Sequence, residues 1–181
     1  NFFGSPQSEV IVFTDDGFAF FDTSTPGATP WENQMIPDPA DPNNLMAMFW
    51  RDMEIVYDQA ANSGVTLANL TSGGVPAAAI IEYDNIEDWP AGSGTSYDFE
   101  MLARYEASPN WYEYIFAYDN LNGDVAPGTI GVENADGSVG VQVAYNDIAV
   151  TNGMAICFDQ VASGQDPVVI TYQAMVDTNA P

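Results

Sequence analysis

The sequence contains no lysine and no histidine, and its only cationic side chains are Arg51 and Arg104. Against them stand 26 aspartates and glutamates, giving a formal net charge of -24 and a sequence pI near 4.1. A field of that sign repels phosphate backbones and anionic lipid surfaces, which excludes nucleic acids and membrane surfaces as natural partners. Without histidine there is no Cys-His or Ser-His nucleophile, and without lysine no Schiff-base chemistry. Cysteine is nearly absent as well. Cys157 stands alone in Met154-Ala155-Ile156-Cys157-Phe158, has no intrachain disulfide partner and reads as a small core residue. No run approaches the roughly 20 apolar residues of a membrane helix, so membrane insertion is not expected. No basic region precedes an apolar one near Asn1 either, so a secreted form would carry no signal peptide within this sequence.

What is present is apolar and aromatic. Hydrophobic residues make up 46% and aromatics 13% of the 181 residues, which is too much for an acidic disordered tail. The chain is therefore long enough and apolar enough for one domain with a substantial core and an acidic skin. Such a skin suits a saline extracellular setting, marine or halophilic, where screening suppresses self-repulsion, and it also serves plain solubility.

Periodicity points to strands. Tyr97 to Tyr105 places Tyr97, Phe99, Met101, Ala103 and Tyr105 on one side and mostly polar residues on the other, the period of a half-buried strand. Trp111 to Tyr118 follows a Ser108-Pro109-Asn110 turn and should pair with it as an antiparallel hairpin. Gly128 to Asn134 and Ser138 to Tyr145 form a second hairpin across Asp136-Gly137, and these four strands are expected to form one central sheet. Glu9 to Thr14 and Phe18 to Phe21 predict a further hairpin around Asp15-Asp16-Gly17. Leu45 to Trp50 reads as a strand buried on both faces, with a short helix through Leu45 to Tyr57 as the rival, and Glu54 to Tyr57 continues the sheet. Val65 to Ala68, Ala77 to Tyr83 and Gly153 to Phe158 complete the set, together with Pro167 to Val176. The connection from Asp22 to Asn44 holds Pro26, Pro30, Pro37, Pro39 and Pro42 and must be a long irregular loop. The fold class is all-β, an antiparallel two-sheet β-sandwich with jelly-roll-like character and long Pro/Gly/Asp-rich loops. Residues 1-159 form the sandwich; residues 160-181 are a linker with either its last strand or the first strand of a following domain.

Met46 to Met53, Ile80 to Asn85, Tyr97 to Tyr118 and the Gly-x-Ile-Gly-x-x-Asn segment Gly128 to Asn134 resemble, in that order, an accessory module of large secreted bacterial subtilisin-like proteases. There the module follows the catalytic domain. The apolar-Phe-Trp-x-Asp segment is also distantly similar to the nidogen-type extracellular domain. The resemblance spans about residues 9 to 159, and Pro167 to Val176 resembles the opening strand of bacterial surface β-sandwich repeats. It implies a secreted, non-catalytic accessory domain that binds matrix, a polysaccharide or protein surface, or a neighbouring domain of the same chain. It carries no functional residues across, and a protease triad is impossible in a chain without histidine.

Three constellations could carry chemistry. Asp15 with Asp16, Asp38 with Asp41 and Asn43, and Asp119, Asn120, Asn122 and Asp124 each gather oxygen ligands in a short stretch, as Ca²⁺ requires. Asn120-x-Asn122-x-Asp124 begins like an EF-hand loop, but position twelve is Gly131, so it is not one. Solvated turn residues are the alternative. Carboxylate pairs such as Glu100 with Glu113 or Glu82 with Asp98 could serve glycoside hydrolysis, although so acidic a chain offers pairs by chance. Trp31, Trp89, Trp111 and Tyr112, with Tyr114, could stack on sugar rings or apolar peptide, against a reading of them as core; Trp50 reads as core. The leading expectation is a non-catalytic extracellular interaction module stabilised by Ca²⁺, and the alternative a carbohydrate-binding module or two-carboxylate glycoside hydrolase.

Overall fold

A computed structural model describes residues 2–7, 11–21, 24, 27–106, 111–147, 150–159 and 168–173. Twelve strands follow one another: β1 (Ile11–Phe13), β2 (Phe18–Phe21), β3 (Leu45–Trp50), β4 (Met53–Glu54), β5 (Gly64–Ser72), β6 (Val75–Asp88), β7 (Ser96–Glu106), β8 (Trp111–Asn122), β9 (Thr129–Glu133), β10 (Gly140–Tyr145), β11 (Met154–Asp159) and β12 (Val168–Gln173). They build a five-stranded sheet in the order β1-β2-β3-β9-β10 and a seven-stranded sheet in the order β12-β11-β8-β7-β6-β4, with β5 also paired to β6. Every pairing is antiparallel. The two sheets pack face to face, so the all-β two-sheet sandwich read from the sequence is the architecture found. Among the described residues no helix is long and apolar enough to cross a membrane.

The inward faces follow the period of two. Ile81, Tyr83, Phe99, Met101, Phe116, Tyr118, Ile156 and Phe158 of the large sheet meet Ala19, Phe21, Met46, Met48, Ile130 and Val132 of the small one. At about 1.5–3 kcal/mol per large apolar side chain buried, this layer is the main driving force for the fold. Hydrogen bonds then fix the sheets relative to each other. The fully buried Tyr118 hydroxyl donates to the Met48 carbonyl (2.6 Å), and the Tyr83 hydroxyl donates to the Thr14 carbonyl in the β1-β2 turn (2.7 Å).

The small sheet is covered on its other side too. Phe18, Phe20, Leu45, Ala47 and Trp50 form a second apolar cluster with Ile36, which comes from the Pro-rich connection. That connection straps across the sheet: the Trp50 indole donates to the Pro30 carbonyl (2.6 Å), and Ile36 N and Asp38 N donate to Gln142 Oε1 (2.9 Å) and Glu133 Oε2 (2.8 Å). The strap explains why β2 and β3 are apolar at every position.

The structure corrects the sequence reading in several places. The four strands between Tyr97 and Asn146 are split, β7 and β8 lying in the large sheet and β9 and β10 in the small one. The reason is the partner of β9: its neighbour is β3, whose doubly apolar run it matches with Ile130 and Val132. The strand expected at Glu54 to Tyr57 is only the two residues of β4, after which Val56 and Tyr57 are exposed. Leu45 to Trp50 is a strand, not a helix. β6 runs on past Tyr83, where the strand from Ala77 was expected to end, to Asp88, absorbing Asn85 in a left-handed conformation at an irregularity between Tyr83 and Ile86. β12 pairs along its whole length with β11.

Candidate functional site

The outer face of the seven-stranded sheet carries a cleft of about 270 Å³. Strand alternation creates it. With Ile81, Tyr83, Phe99, Met101 and Tyr118 turned into the core, Glu82 and Asp84 of β6, Asp98 and Glu100 of β7 and Asp119 of β8 turn outward to the same side. Register brings them together: Glu82 lies opposite Glu100, Glu100 opposite Ala117, and Ala117 opposite Ala155. The floor toward β11 is thus made of Ala117, Ala155 and Gly153, too short to fill the space, while acids occupy the rim.

Five carboxylates in one cleft repel one another. Burial and the neighbouring Glu82, Asp119 and Asp84 charges hold the Glu100 carboxyl above the usual carboxylate range, and burial with Glu82 and Asp98 does the same for Asp84. Asp98 is anchored, accepting from Asn85 N (2.7 Å). The two arginines are engaged elsewhere. Arg51 pairs with Asp88 at 2.7 Å, and Arg104 with Glu113 at 2.7 Å.

Farther along the same face the character changes. Ile80, Leu102, Ile115 and Cys157 form an apolar row in cross-strand register, and beyond it Arg104 lies opposite Glu113. Glu113, Cys157 and Asp159 bring their ligand atoms within 4.8 Å of one another, the only such trio of thiol and carboxylate groups among the described residues. The Cys157 thiol donates to Glu113 Oε1 (2.9 Å), and burial, reinforced by the two adjacent carboxyls, pushes it up to about 12. The Cys157 reading as a small buried residue is correct in burial; it misses the carboxylate beside the sulfur.

The residues singled out in the sequence are scattered. Asp15 is exposed, whereas Asp16 is 6% exposed, accepts from Met53 N (3.2 Å), and is pushed up to about 6 by burial. Asp38, Asp41 and Asn43 lie in the strap, where Asn43 Nδ2 donates to Asp41 Oδ1 (3.4 Å). Asp119, Asn120 and Asn122 belong to strand β8 rather than to a loop, so only Asp119 reaches the cleft. Asp124 acts mainly through its carbonyl, which accepts from Arg51 Nη1 and the Tyr97 hydroxyl. Trp31 and Trp89 are exposed, at 47% and 62%, but neither lines the cleft. The side chains of Trp111 and Tyr112 lie outside the described residues; their backbone pairs with Glu106 and Tyr105. Tyr114 is core.

The carboxylate pairs weighed in the sequence are re-sorted by register. Glu113 faces Arg104, not Glu100, and Glu82 faces Glu100 rather than Asp98. The signal that points to the cleft is a short acidic alternation, Glu82-x-Asp84 and Asp98-x-Glu100, inside strands whose other face is aromatic. Comparison with family models, with curated proteins and with solved structures finds no match to this chain.

Proposed function

We propose that this domain is a non-catalytic extracellular interaction module of a secreted bacterial multidomain protein, and that it engages a cationic protein surface through the outer face of its large sheet. The observation that carries the reading is the alanine-floored cleft rimmed by Glu82, Asp84, Asp98, Glu100 and Asp119. Its carboxylates are spread over three strands, and among the described residues they do not converge as the Glu113-Cys157-Asp159 trio does. Spread acids match several basic side chains of a partner better than one desolvated ion. Arginine and lysine groups entering the cleft would relieve the mutual repulsion of the acids, and rim charges of this kind steer association strongly at low salt. The partner class is a surface or neighbouring domain rich in Lys and Arg, complementary to a chain with almost none.

The test is calorimetric titration of a hexalysine peptide at 50 and 500 mM NaCl. The double variant Glu82→Gln/Glu100→Gln is compared with a control that removes two charges elsewhere, Asp41→Asn/Asp136→Asn. The reading requires an affinity loss of about ten-fold or more in the first and much less in the second. Equal losses would mean diffuse attraction to net charge and would overturn it.

A second reading, a two-carboxylate glycoside hydrolase, is favoured by the direct cross-strand opposition of Glu82 and Glu100, since that chemistry needs two carboxyls close together. Reducing-sugar release from a panel of polysaccharides, abolished in Glu100→Gln, would establish it. The absence of Trp31 and Trp89 from the cleft lining weighs toward the interaction module.

A further inference from the structure

Where the strap crosses the end of the β9-β10 hairpin, polar groups are buried with an incomplete set of partners. Asn43 is 6% exposed, and its Oδ1 has no hydrogen-bond partner although its Nδ2 donates to the Pro39 carbonyl (3.3 Å) and to Asp41 Oδ1 (3.4 Å). A buried amide oxygen left unpaired keeps the full cost of its lost hydration. The same oxygen and the Asp38 carbonyl both crowd the place that a Cβ on Gly137 would occupy, so they are neighbours over a bare glycine. Gly137 has φ +62, a conformation that suits glycine, and its amide donates to the Asn134 carbonyl (3.2 Å).

Beside them is Glu133, the last residue of β9 and only 1% exposed. Its Oε2 accepts from Asp38 N (2.8 Å). Burial, together with the nearby Asp38 charge, pushes its carboxyl up to about 7. Neither arginine answers this charge, since Arg51 is held by Asp88 and Arg104 by Glu113. A buried amide oxygen and a main-chain carbonyl thus meet over Gly137, a nearly fully buried carboxylate is joined to them through the Asp38 amide, and neither arginine reaches the seam.

We propose that this seam is a structural Ca²⁺ site, with Asn43 Oδ1, the Asp38 carbonyl and the Glu133 carboxylate as protein ligands and water completing the shell. The donor set fits: Ca²⁺ takes carboxylate, amide and main-chain oxygens in an irregular shell of six to eight, and no soft ligand is present. A cation here would neutralise the buried charge, give the orphaned amide oxygen its partner, and lock the strap onto the sheet it covers. The inference does not rest on the acidic cleft, which lies on the opposite sheet.

The experiment is thermal unfolding and calorimetric titration of the 181-residue chain with CaCl₂ against EDTA, ionic strength being held constant with NaCl. One Ca²⁺ per chain and a rise in midpoint of roughly 5 °C or more are expected, because a ligand that binds only the folded state stabilises it. Glu133→Gln keeps an acceptor for Asp38 N and should fold, yet lose the Ca²⁺ response. Asn43→Asp should be less stable in EDTA and bind Ca²⁺ more tightly, a gain that a purely structural asparagine would not produce. A response that persists in Glu133→Gln, or that vanishes instead in Glu82→Gln/Glu100→Gln, would overturn the assignment. So would a wild-type midpoint that CaCl₂ moves no more than NaCl does.

Discussion

Arg51 Nη2 lies 2.7 Å from Asp88 Oδ1, joining the bend after β3 to the end of β6 and so tying one sheet to the other. The guanidinium sits against the Phe49 and Tyr97 rings, 5.3 and 5.0 Å from their centroids, and its Nη1 donates to the Asp124 carbonyl. Both side chains of the pair are largely buried, at 10% and 20% exposure. Replacing Arg51 by Met would remove the only positive charge facing Asp88 and leave Asp88 and the Asp124 carbonyl with the Tyr97 hydroxyl alone as shared donor, at a cost of about 3–5 kcal/mol. Guanidinium unfolding of Arg51→Met measures this, and Arg51→Met/Asp88→Asn should recover part of the loss. A change below about 1 kcal/mol would show the pair to be dispensable.

Asp16 gives stability a pH dependence of defined sign. Its carboxyl rises from an ordinary 3.8 to about 6 on folding, so the folded state holds the proton more tightly than the unfolded chain does. The associated stability is complete below pH 4 and is lost as pH rises through about 6. At roughly 1.4 kcal/mol for each tenfold gain in proton affinity, the ceiling is about 3 kcal/mol, from which solvent screening subtracts. Asp16→Asn retains an oxygen for Met53 N and should match the wild type near pH 4 but exceed it at pH 8. Parallel stability curves for the two proteins would refute this. Glu133, pushed up to about 7, adds a contribution of the same sign.

Glu100 is destabilising where it stands. It faces Glu82 directly across β6 and β7, and like charges directly opposite on a sheet weaken it. Glu100→Gln should raise stability at pH 7 by about 0.5–1 kcal/mol at low salt, with less gain at 1 M NaCl. A Tm series over NaCl concentration reads both. A loss of stability in this variant would show that Glu100 is already compensated.

Cys157 should be chemically silent in the folded protein. Its side chain is buried and its thiol, pushed up to about 12, is almost wholly protonated at pH 8, whereas the thiolate is the reactive form. Labelling by iodoacetamide at pH 8 is expected only at the rate of unfolding, and promptly in 6 M guanidinium. Prompt stoichiometric labelling of the native protein would contradict the geometry of the Glu113 contact.

Much of this fold was legible because burial here follows a period of two. Tyr97 to Tyr105 and Trp111 to Tyr118 could be paired from spacing alone, and the doubly apolar Leu45 to Trp50 announced cover on both faces. The identity of that cover was hidden, because Ile36 and Pro30 meet the sheet through a loop with no period. Assignment of hairpins to sheets was hidden too: alternation gives a strand its inner face but not its neighbour, and β9 could join β3 as well as β8 on pattern alone. The cleft required register. Glu82 and Glu100 are 18 positions apart, and only the register in which β6 pairs with β7 decides that they, rather than Glu82 and Asp98, stand opposite. Glu133 gave no sign at all, since burial of one acid among 26 is decided by the strap that closes over it.

The confinement of both arginines to sheet contacts has a consequence for proteolysis. Enzymes that cut after basic residues have two targets in this chain, Arg51 and Arg104, and both are withheld. Arg51 is buried, and Arg104, though its side chain is half exposed, sits in β7 with β6 on one side and β8 on the other. A protease must draw several residues of extended backbone into its cleft, which at either site means pulling a strand out of the sandwich. Cleavage by trypsin-like enzymes is therefore governed by the free energy of opening the sheets rather than by any surface loop. The exposed loops, which hold most of the irregular backbone, offer such enzymes nothing to cut.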